Sequence, residues 1–109
     1  MTDVLSLAGR VIVPHPVTGR VWTGRPAQAP AGSVLVSRSA TPDLVLGMER
    51  LVGVVFEADG VASHAAILAR EWGLPCFVGV AGCVQAARSY ERVSLQPAEK
   101  QVIFSGHGA

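Results

Sequence analysis

Cysteine is scarce in this sequence, with only Cys76 and Cys83 among 109 residues. Two thiols cannot build the disulfide framework that staples many small secreted domains, and neither a Cys-x-x-Cys pair nor a zinc-type spacing to histidine is present. The sequence therefore predicts no metal site, and a reduced, cytoplasmic protein is the simplest interpretation. Cys76 lies in an apolar run, where a packing role is expected rather than a reactive thiol.

Long apolar runs and runs of one charge are also missing. No stretch approaches the roughly 18 apolar residues of a membrane span, and residues 1–4 lack the basic and apolar start of a signal peptide. Nine lysines and arginines face eight aspartates and glutamates, and the basic residues are scattered along the chain. Neither a membrane nor a nucleic acid is therefore an expected partner.

The composition that remains is that of a folded protein. Half of the residues are apolar and 16% are charged, so the chain can bury a core. Its length fits a single domain over residues 1–109. It is too short for a nucleotide-binding domain and a separate acceptor domain together, so chemistry in several steps requires other chains.

Short apolar runs separated by proline and glycine predict about six or seven strands. They are expected at residues 9–14, 21–23, 33–37, 52–56, 76–80, 92–96 and 101–104, the last two as a hairpin. Two helices are expected, one starting at Thr41-Pro42 with apolar residues at spacings of four and three, and one near Ser63. Trp72, on the apolar face of the second helix, is expected in the core. This set of predicted strands and helices suggests sheets covered by helices on one side, which is an α/β or α+β fold.

The stretch from Glu57 to Gly79 carries the candidate chemistry. A strand ends, a turn containing Gly60 follows, and His64 lies in the first turn of the second helix, where free N–H groups and the dipole favour an anion. A neutral imidazole has a lone pair on one ring nitrogen and can attack a phosphoryl group. The plainer alternative is a polar first-turn residue that takes part in no reaction.

Three other polar residues are weaker candidates for catalysis. Ser63 suits the N-cap position of the helix better than the role of a nucleophile. His15 lies between two prolines and His107 lies in a glycine-rich tail, so neither has a helix N-terminus behind it. None of the three is therefore expected to attack a substrate.

The same stretch resembles the phosphohistidine motif of the mobile, or swivelling, domain of phosphoenolpyruvate-utilising enzymes. That domain occurs in pyruvate phosphate dikinase, phosphoenolpyruvate synthase, enzyme I of the sugar phosphotransferase system and rifampin phosphotransferase. The matching positions are Glu57, Gly60, Ser63, His64, Ala65, Ala66, Ile67, Ala69, Arg70, Gly73, Pro75, Val78 and Gly79. The resemblance extends to the predicted strands on both sides and covers most of the chain.

The resemblance implies an α/β fold of three layers, β/β/α, and a histidine, His64, that is phosphorylated on the ring nitrogen distal to the main chain. Ser63, Gly60, Glu57 and Arg70 would support this site. This chain would bind no cofactor itself. ATP and magnesium would be bound by a partner of the ATP-grasp type, and a second chain or domain would bind the acceptor.

Two of the supporting residues have equally plain alternatives. Arg70 lies on a different helix face from His64 and could instead complement the dipole at the C-terminus of the helix. Glu57 could orient the loop that carries His64, or could end a strand in solvent.

Three residues depart from the family motif. Phe56 replaces a small hydroxyl residue, Asp59 replaces the first glycine of a pair, and Ala62 replaces threonine. Aspartate tolerates a positive φ, so Asp59 is expected to preserve the turn, although its carboxylate brings negative charge towards a site for phosphate. Ala62 removes a hydroxyl that could bind the phosphoryl group, a loss of about 1.5–3 kcal/mol.

The first hypothesis is a phosphocarrier subunit of a split dikinase or phosphotransferase, which relays a phosphoryl group from ATP or phosphoenolpyruvate through His64 to an acceptor on a partner chain. The alternative is a non-catalytic module that keeps the fold for interaction or regulation. A third possibility is a domain cut from a longer protein. Small subunits of aconitase-like dehydratases also use a swivelling fold, but their chemistry does not need the histidine motif.

Overall fold

The computed structural model describes residues 4–60 and 64–107. These residues form eight strands and two short α-helices. The strands are β1 (Val4–Ala8), β2 (Arg10–Val13), β3 (Val17–Trp22), β4 (Ser33–Ser37), β5 (Leu51–Phe56), β6 (Cys76–Val78), β7 (Tyr90–Gln96) and β8 (Gln101–His107). The helices are α1 (His64–Trp72) and α2 (Cys83–Ala87), with 3₁₀ helices at Pro26–Gln28, Pro42–Gly47 and Pro97–Glu99.

All of these strands join one mixed sheet in the order β1-β8-β7-β3-β4-β5-β6-β2. The four strands β3, β4, β5 and β6 are parallel to one another. The remaining pairs are antiparallel, including the predicted hairpin of β7 and β8. Parallel strands end at the same edge of a sheet, and the chain leaves β5 at that edge on its way to α1.

The two outermost strands of the sheet, β1 and β2, are separated in the chain by Gly9 alone. Since neighbouring strands lie about 4.8 Å apart, the edges of a flat eight-stranded sheet would be about 34 Å from each other, too far for one residue to span. The sheet is therefore rolled until its edges approach at Gly9, whose N–H donates to the carbonyl oxygen of Lys100 at 3.2 Å.

The rolled sheet separates two apolar clusters, because successive side chains of a strand point to opposite faces. The inner cluster lies between the two halves of the sheet and includes Phe77 and Phe104. The outer cluster lies between β4, β5, β6 and helix α1, and includes Val54 and Ala69. The result is a β/β/α arrangement of three layers, which confirms the fold class expected from the sequence.

The helix predicted from Thr41 is wrong in type and length. The segment is a 3₁₀ helix, Pro42–Gly47, and Leu51 already belongs to β5. Thr41 caps no backbone N–H there. A Cβ at Gly47 would lie 2.2 Å from the backbone of Pro26, so close contact between the two 3₁₀ helices fixes the path of the chain.

The expected burial of Trp72 is also wrong, since 54% of this residue is exposed. The helix presents Ala66 and Ala69 to the sheet, and both are buried. These small side chains let α1 lie close to the strands, which leaves the large indole at the last residue of the helix in solvent.

Replacing Gly9 with alanine is expected to lower the free energy of unfolding by about 1–3 kcal/mol. An added Cβ would lie 2.5 Å from Cγ2 of Val80, which is fully buried, and 3.3 Å from the carbonyl oxygen of Val78. Urea unfolding measures the loss. The same substitution should cost less in a Val80→Ala background, and equal costs in both backgrounds would contradict a tight contact at the closure of the sheet.

Both thiols are expected to make the fold sensitive to alkali. Burial raises the pKa of Cys76 and of Cys83 from 9.0 to about 12, and the Glu57 carboxylate adds to the rise at Cys83. The folded state therefore holds protons that the unfolded chain releases, so this contribution to stability is complete below pH 9.0 and is lost as the pH rises towards about 12. Urea midpoints measured across this range should fall more steeply for the wild type than for Cys76→Ala/Cys83→Ala, and parallel curves would contradict the expectation.

Candidate functional site

His64 is the first residue of α1, and its side chain is exposed. The helix packs against β2 and β6 through its opposite side, where Ala66 and Ala69 are buried. An exposed imidazole at the start of a helix can be reached by another molecule. Ser63 and Ala62, the predicted cap and one of the departures from the motif, lie outside the described residues.

The segment that leads from β5 towards His64 is held on both sides by backbone hydrogen bonds. On one side, the N–H groups of Glu57 and Ala58 donate to the carbonyl oxygens of Ser37 and Arg38, at 3.0 and 2.8 Å. On the other side, the N–H of Gly79 donates to the carbonyl oxygen of Ala58 at 3.0 Å. The segment thus lies between the residues that follow β4 and β6, at the edge where the parallel strands end.

Asp59 forms an ion pair with Arg10 of β2, with 3.2 Å between Oδ2 and Nη2. Its carboxyl group also lies against Gly79, whose φ is +65° and where a Cβ would be 3.1 Å from Cγ of Asp59. Asp59 does not use a positive φ, since Lys100 is the one non-glycine residue in 4–60 and 64–107 with that conformation. The ion pair and the backbone contacts fix the turn instead, and the Arg10 guanidinium balances the added negative charge.

A cavity of about 520 Å³ opens beside this ion pair. Its lining residues are Ala8, Gly9, Arg10, Val11, Asp59, Gly79 and Lys100. The cavity therefore joins the closure of the sheet to the segment that follows β5.

Glu57 makes a contact that the sequence did not predict. Its Oε1 accepts a hydrogen bond from the backbone N–H of Val84 at 3.4 Å, in the first turn of α2. The N-cap residue of α2 is Gly82, which has no side chain to do this. Glu57 therefore ties the end of β5 to the start of α2.

Arg70 lies in the last turn of α1, and Gly60 is the last described residue before the gap that precedes His64. The positive charge of Arg70 lowers the pKa of Cys76 in β6, although burial outweighs it. Six helical positions place Arg70 about 9 Å further along the axis than His64. This position fits the alternative in which Arg70 complements the helix dipole.

Neither of the other histidines lies on α1. His15 is exposed in the turn between β2 and β3, and His107 is the last residue of β8 rather than part of a free tail. Within residues 4–60 and 64–107, no three histidine, cysteine or acidic side chains lie close enough together to hold a metal ion. No helix in these ranges is long and apolar enough to cross a bilayer.

The Arg10–Asp59 pair is expected to contribute about 0.2–1 kcal/mol to stability at low salt, because both side chains are about half exposed. A double-mutant cycle with Arg10→Gln and Asp59→Asn, measured by urea unfolding, gives this coupling energy. It should fall towards zero at high salt, where exposed charges are screened. A second cycle, with Arg25→Gln and Asp59→Asn, serves as the uncoupled control. A coupling energy of the Arg10–Asp59 cycle that does not exceed that of the control would contradict a stabilising ion pair.

The sequence model of the family "PEP-utilising enzyme, mobile domain" matches residues 29–100. A probable phosphoenolpyruvate synthase of Methanothermobacter thermautotrophicus is 35% identical over 75 residues, which cover 69% of this chain and 11% of that protein. Pyruvate kinase 2 of Synechocystis is 38% identical over 80 residues, covering 73% of this chain and 13% of that protein. The chloroplastic pyruvate, phosphate dikinase 1 of Zea mays is 35% identical over 75 residues, which cover 69% of this chain and 7% of that protein. This chain thus spans only 7–13% of the length of these relatives.

The fold is also similar to a solved structure, the holo-form of aconitase X from Thermococcus kodakaraensis. The TM-score is 0.61 at 18% identity, covering 92% of this chain and 98% of that one. At this identity the likeness concerns the fold alone. The family match, in contrast, includes His64 and its surrounding motif and extends over more than half of the sequence. The chain therefore belongs to the mobile-domain family of phosphoenolpyruvate-utilising enzymes.

Proposed function

We propose that this chain is a phosphocarrier, in which His64 accepts a phosphoryl group from ATP or phosphoenolpyruvate on one partner and delivers it to an acceptor on another. The observation that carries the proposal is the placement of His64, exposed at the first residue of α1 and within the motif of its family. The parallel strands end at the same edge, and the two residues that follow β5 are held there by backbone hydrogen bonds to the ends of β4 and β6.

The reaction needs one nucleophile from this chain. The lone pair of the distal ring nitrogen, Nε2, attacks phosphorus and forms an N–P bond, while the P–O bond to the donor breaks and its electron pair leaves with the donor oxygen. In the return step an acceptor oxygen attacks the phosphorus, and the N–P electron pair goes back to Nε2. The positive end of the α1 dipole favours the negative charge of the intermediate.

The partners would supply everything else. ATP and its magnesium would bind to a nucleotide-binding chain or domain of the ATP-grasp type, and the acceptor would bind to a second one. In the relatives, this domain is a small part of a much longer protein. A carrier on a separate chain lacks the covalent tether that keeps local concentrations high, so it must dock through its own surface.

The ion pair of Asp59 bears on the alternative, a non-catalytic interaction module. A carboxylate near a site for phosphate, as Asp59 provides, would favour that alternative. Arg10 pairs with this carboxylate, so the negative charge is balanced within the chain. Ala62 is then the remaining departure that favours the alternative.

The test is phosphate uptake by the purified chain from ATP labelled at the β- or the γ-phosphate, or from labelled phosphoenolpyruvate, with and without an extract of its native cells. We expect label that is lost in acid and kept in alkali, with the extract only. If the chain takes up label from none of the donors, the carrier proposal fails and the interaction module takes its place. Label taken up from ATP by the pure chain alone would contradict the need for a partner.

A further inference from the structure

Two arginines lie directly opposite each other on neighbouring strands. Arg20 of β3 is the register partner of Arg92 of β7, and both side chains are exposed. Opposed residues of an antiparallel pair have Cβ atoms about 4.5–5.5 Å apart, and like charges in this position destabilise the sheet. The fold therefore holds a repulsive pair at this point of its surface.

Within residues 4–60 and 64–107, no ion pair compensates this repulsion. Neither guanidinium forms an ion pair or a side-chain hydrogen bond there, and the ion pair found in these ranges is Arg10–Asp59. Glu91 lines a cavity of about 300 Å³ together with both arginines, but it forms no ion pair with either. The two guanidiniums thus keep their hydrogen-bond donors available for a ligand.

The surroundings of the pair are polar and lie away from His64. Thr18 donates a hydrogen bond to Ser94 across the same two strands at 2.9 Å, and Ser105 is opposite Arg92. Arg20 is the register partner of Ser33, the first residue of β4, whereas the chain leaves towards helix α1 and His64 at the edge where β4, β5 and β6 end. A molecule bound at the arginines would leave the helix layer accessible.

We propose that this surface, the arginine face formed by Thr18, Arg20, Arg92, Ser94 and Ser105, docks an acidic segment of a partner protein. Each planar guanidinium can bind a carboxylate through two parallel hydrogen bonds, and bound carboxylates would remove the repulsion between the arginines. The inference rests on the proposed carrier function, because a carrier without a tether needs a docking surface. A nucleic acid fits less well, since it requires a broader basic surface than two arginines in a chain of net charge +1.

The proposal predicts that binding and stability change in opposite directions. Arg92→Glu replaces a repulsive cross-strand pair with an attractive one, so the thermal midpoint should rise by about 1–5 °C. The Arg92→Glu variant should also lose its affinity for the acidic ligand. A purely structural role for Arg92 would instead lower the midpoint on substitution.

Binding is tested by NMR titration of the isotope-labelled chain with a short polyglutamate peptide at low salt. We expect shifts centred on β3 and β7, and binding weakened at least about tenfold by Arg20→Gln/Arg92→Gln, or by high salt. The matched control, Arg25→Gln/Arg88→Gln, removes the same charge from exposed sites elsewhere and should stay within about twofold of the wild type.

Four results would overturn the proposal: no peptide binding, equal binding by the two double variants, binding of single-stranded DNA in place of the peptide, or self-association of the free chain through this face. His64→Ala should bind the peptide like the wild type. Failure of docking is therefore distinguishable from failure of the carrier function, which is read from phosphate uptake at His64.

Discussion

His64→Ala is expected to reduce phosphate uptake in the presence of the native cell extract to background. The exposed imidazole at the start of α1 supplies the attacking nitrogen, and alanine has no lone pair to replace it. Uptake is measured as acid-labile label on the purified chain. His15→Ala, which removes an exposed imidazole from the turn between β2 and β3, is the matched control and should keep the uptake of the wild type.

The two variants must first be shown to be equally folded by circular dichroism and urea unfolding. Both residues are exposed, so their truncation should change the free energy of unfolding by no more than about 0.5 kcal/mol. Undiminished label on folded His64→Ala would show that another residue accepts the phosphoryl group.

Phe77→Ala is expected to lower the free energy of unfolding by about 3–5 kcal/mol, a large part of the roughly 5–15 kcal/mol that small domains possess. Phe77 is fully buried in the inner cluster, and its ring lies 3.2 Å from the place of a Cβ at Gly9, where the sheet closes. Urea unfolding measures the loss. Leu46→Ala, at a residue that is 64% exposed, should cost less than about 0.5 kcal/mol. A similar small cost for Phe77→Ala would contradict an inner cluster that holds the two halves of the sheet together.

The buried strands could be predicted because their signal is local. The apolar runs of β4 and β5 coincide with their predicted positions, and the proline between β7 and β8 marked the hairpin correctly. β1 was missed, since it alternates exposed and half-buried residues over a short length and pairs with β8 at the far end of the sequence. Such a partner leaves no local pattern.

Helix α2 was missed for a related reason. It has five residues, its N-cap is Gly82 in a left-handed conformation, and its first turn is capped by Glu57, which lies 27 positions earlier. Local sequence rules describe capping by neighbours in the chain, so they could not find this helix or assign Glu57 its role.

Within the candidate site, the motif placed His64 at the start of a helix, as the structure has it. The same reasoning treated Asp59 as a flaw in the motif, because its partner Arg10 lies 49 positions away and comes close only when the sheet closes. The opposition of Arg20 and Arg92 was hidden for the same reason, since it depends on the register between β3 and β7. Contacts between distant strands therefore decide the charge balance of this molecule.

The most direct test of the phosphocarrier account is to purify the chain from its native cells under alkaline conditions, which preserve phosphohistidine, and to locate the phosphate by mass spectrometry. The account predicts an acid-labile phosphate on Nε2 of His64, and none on His15 or His107. A phosphate on either of the other histidines, or a chain that carries none while its cells are metabolically active, would contradict it.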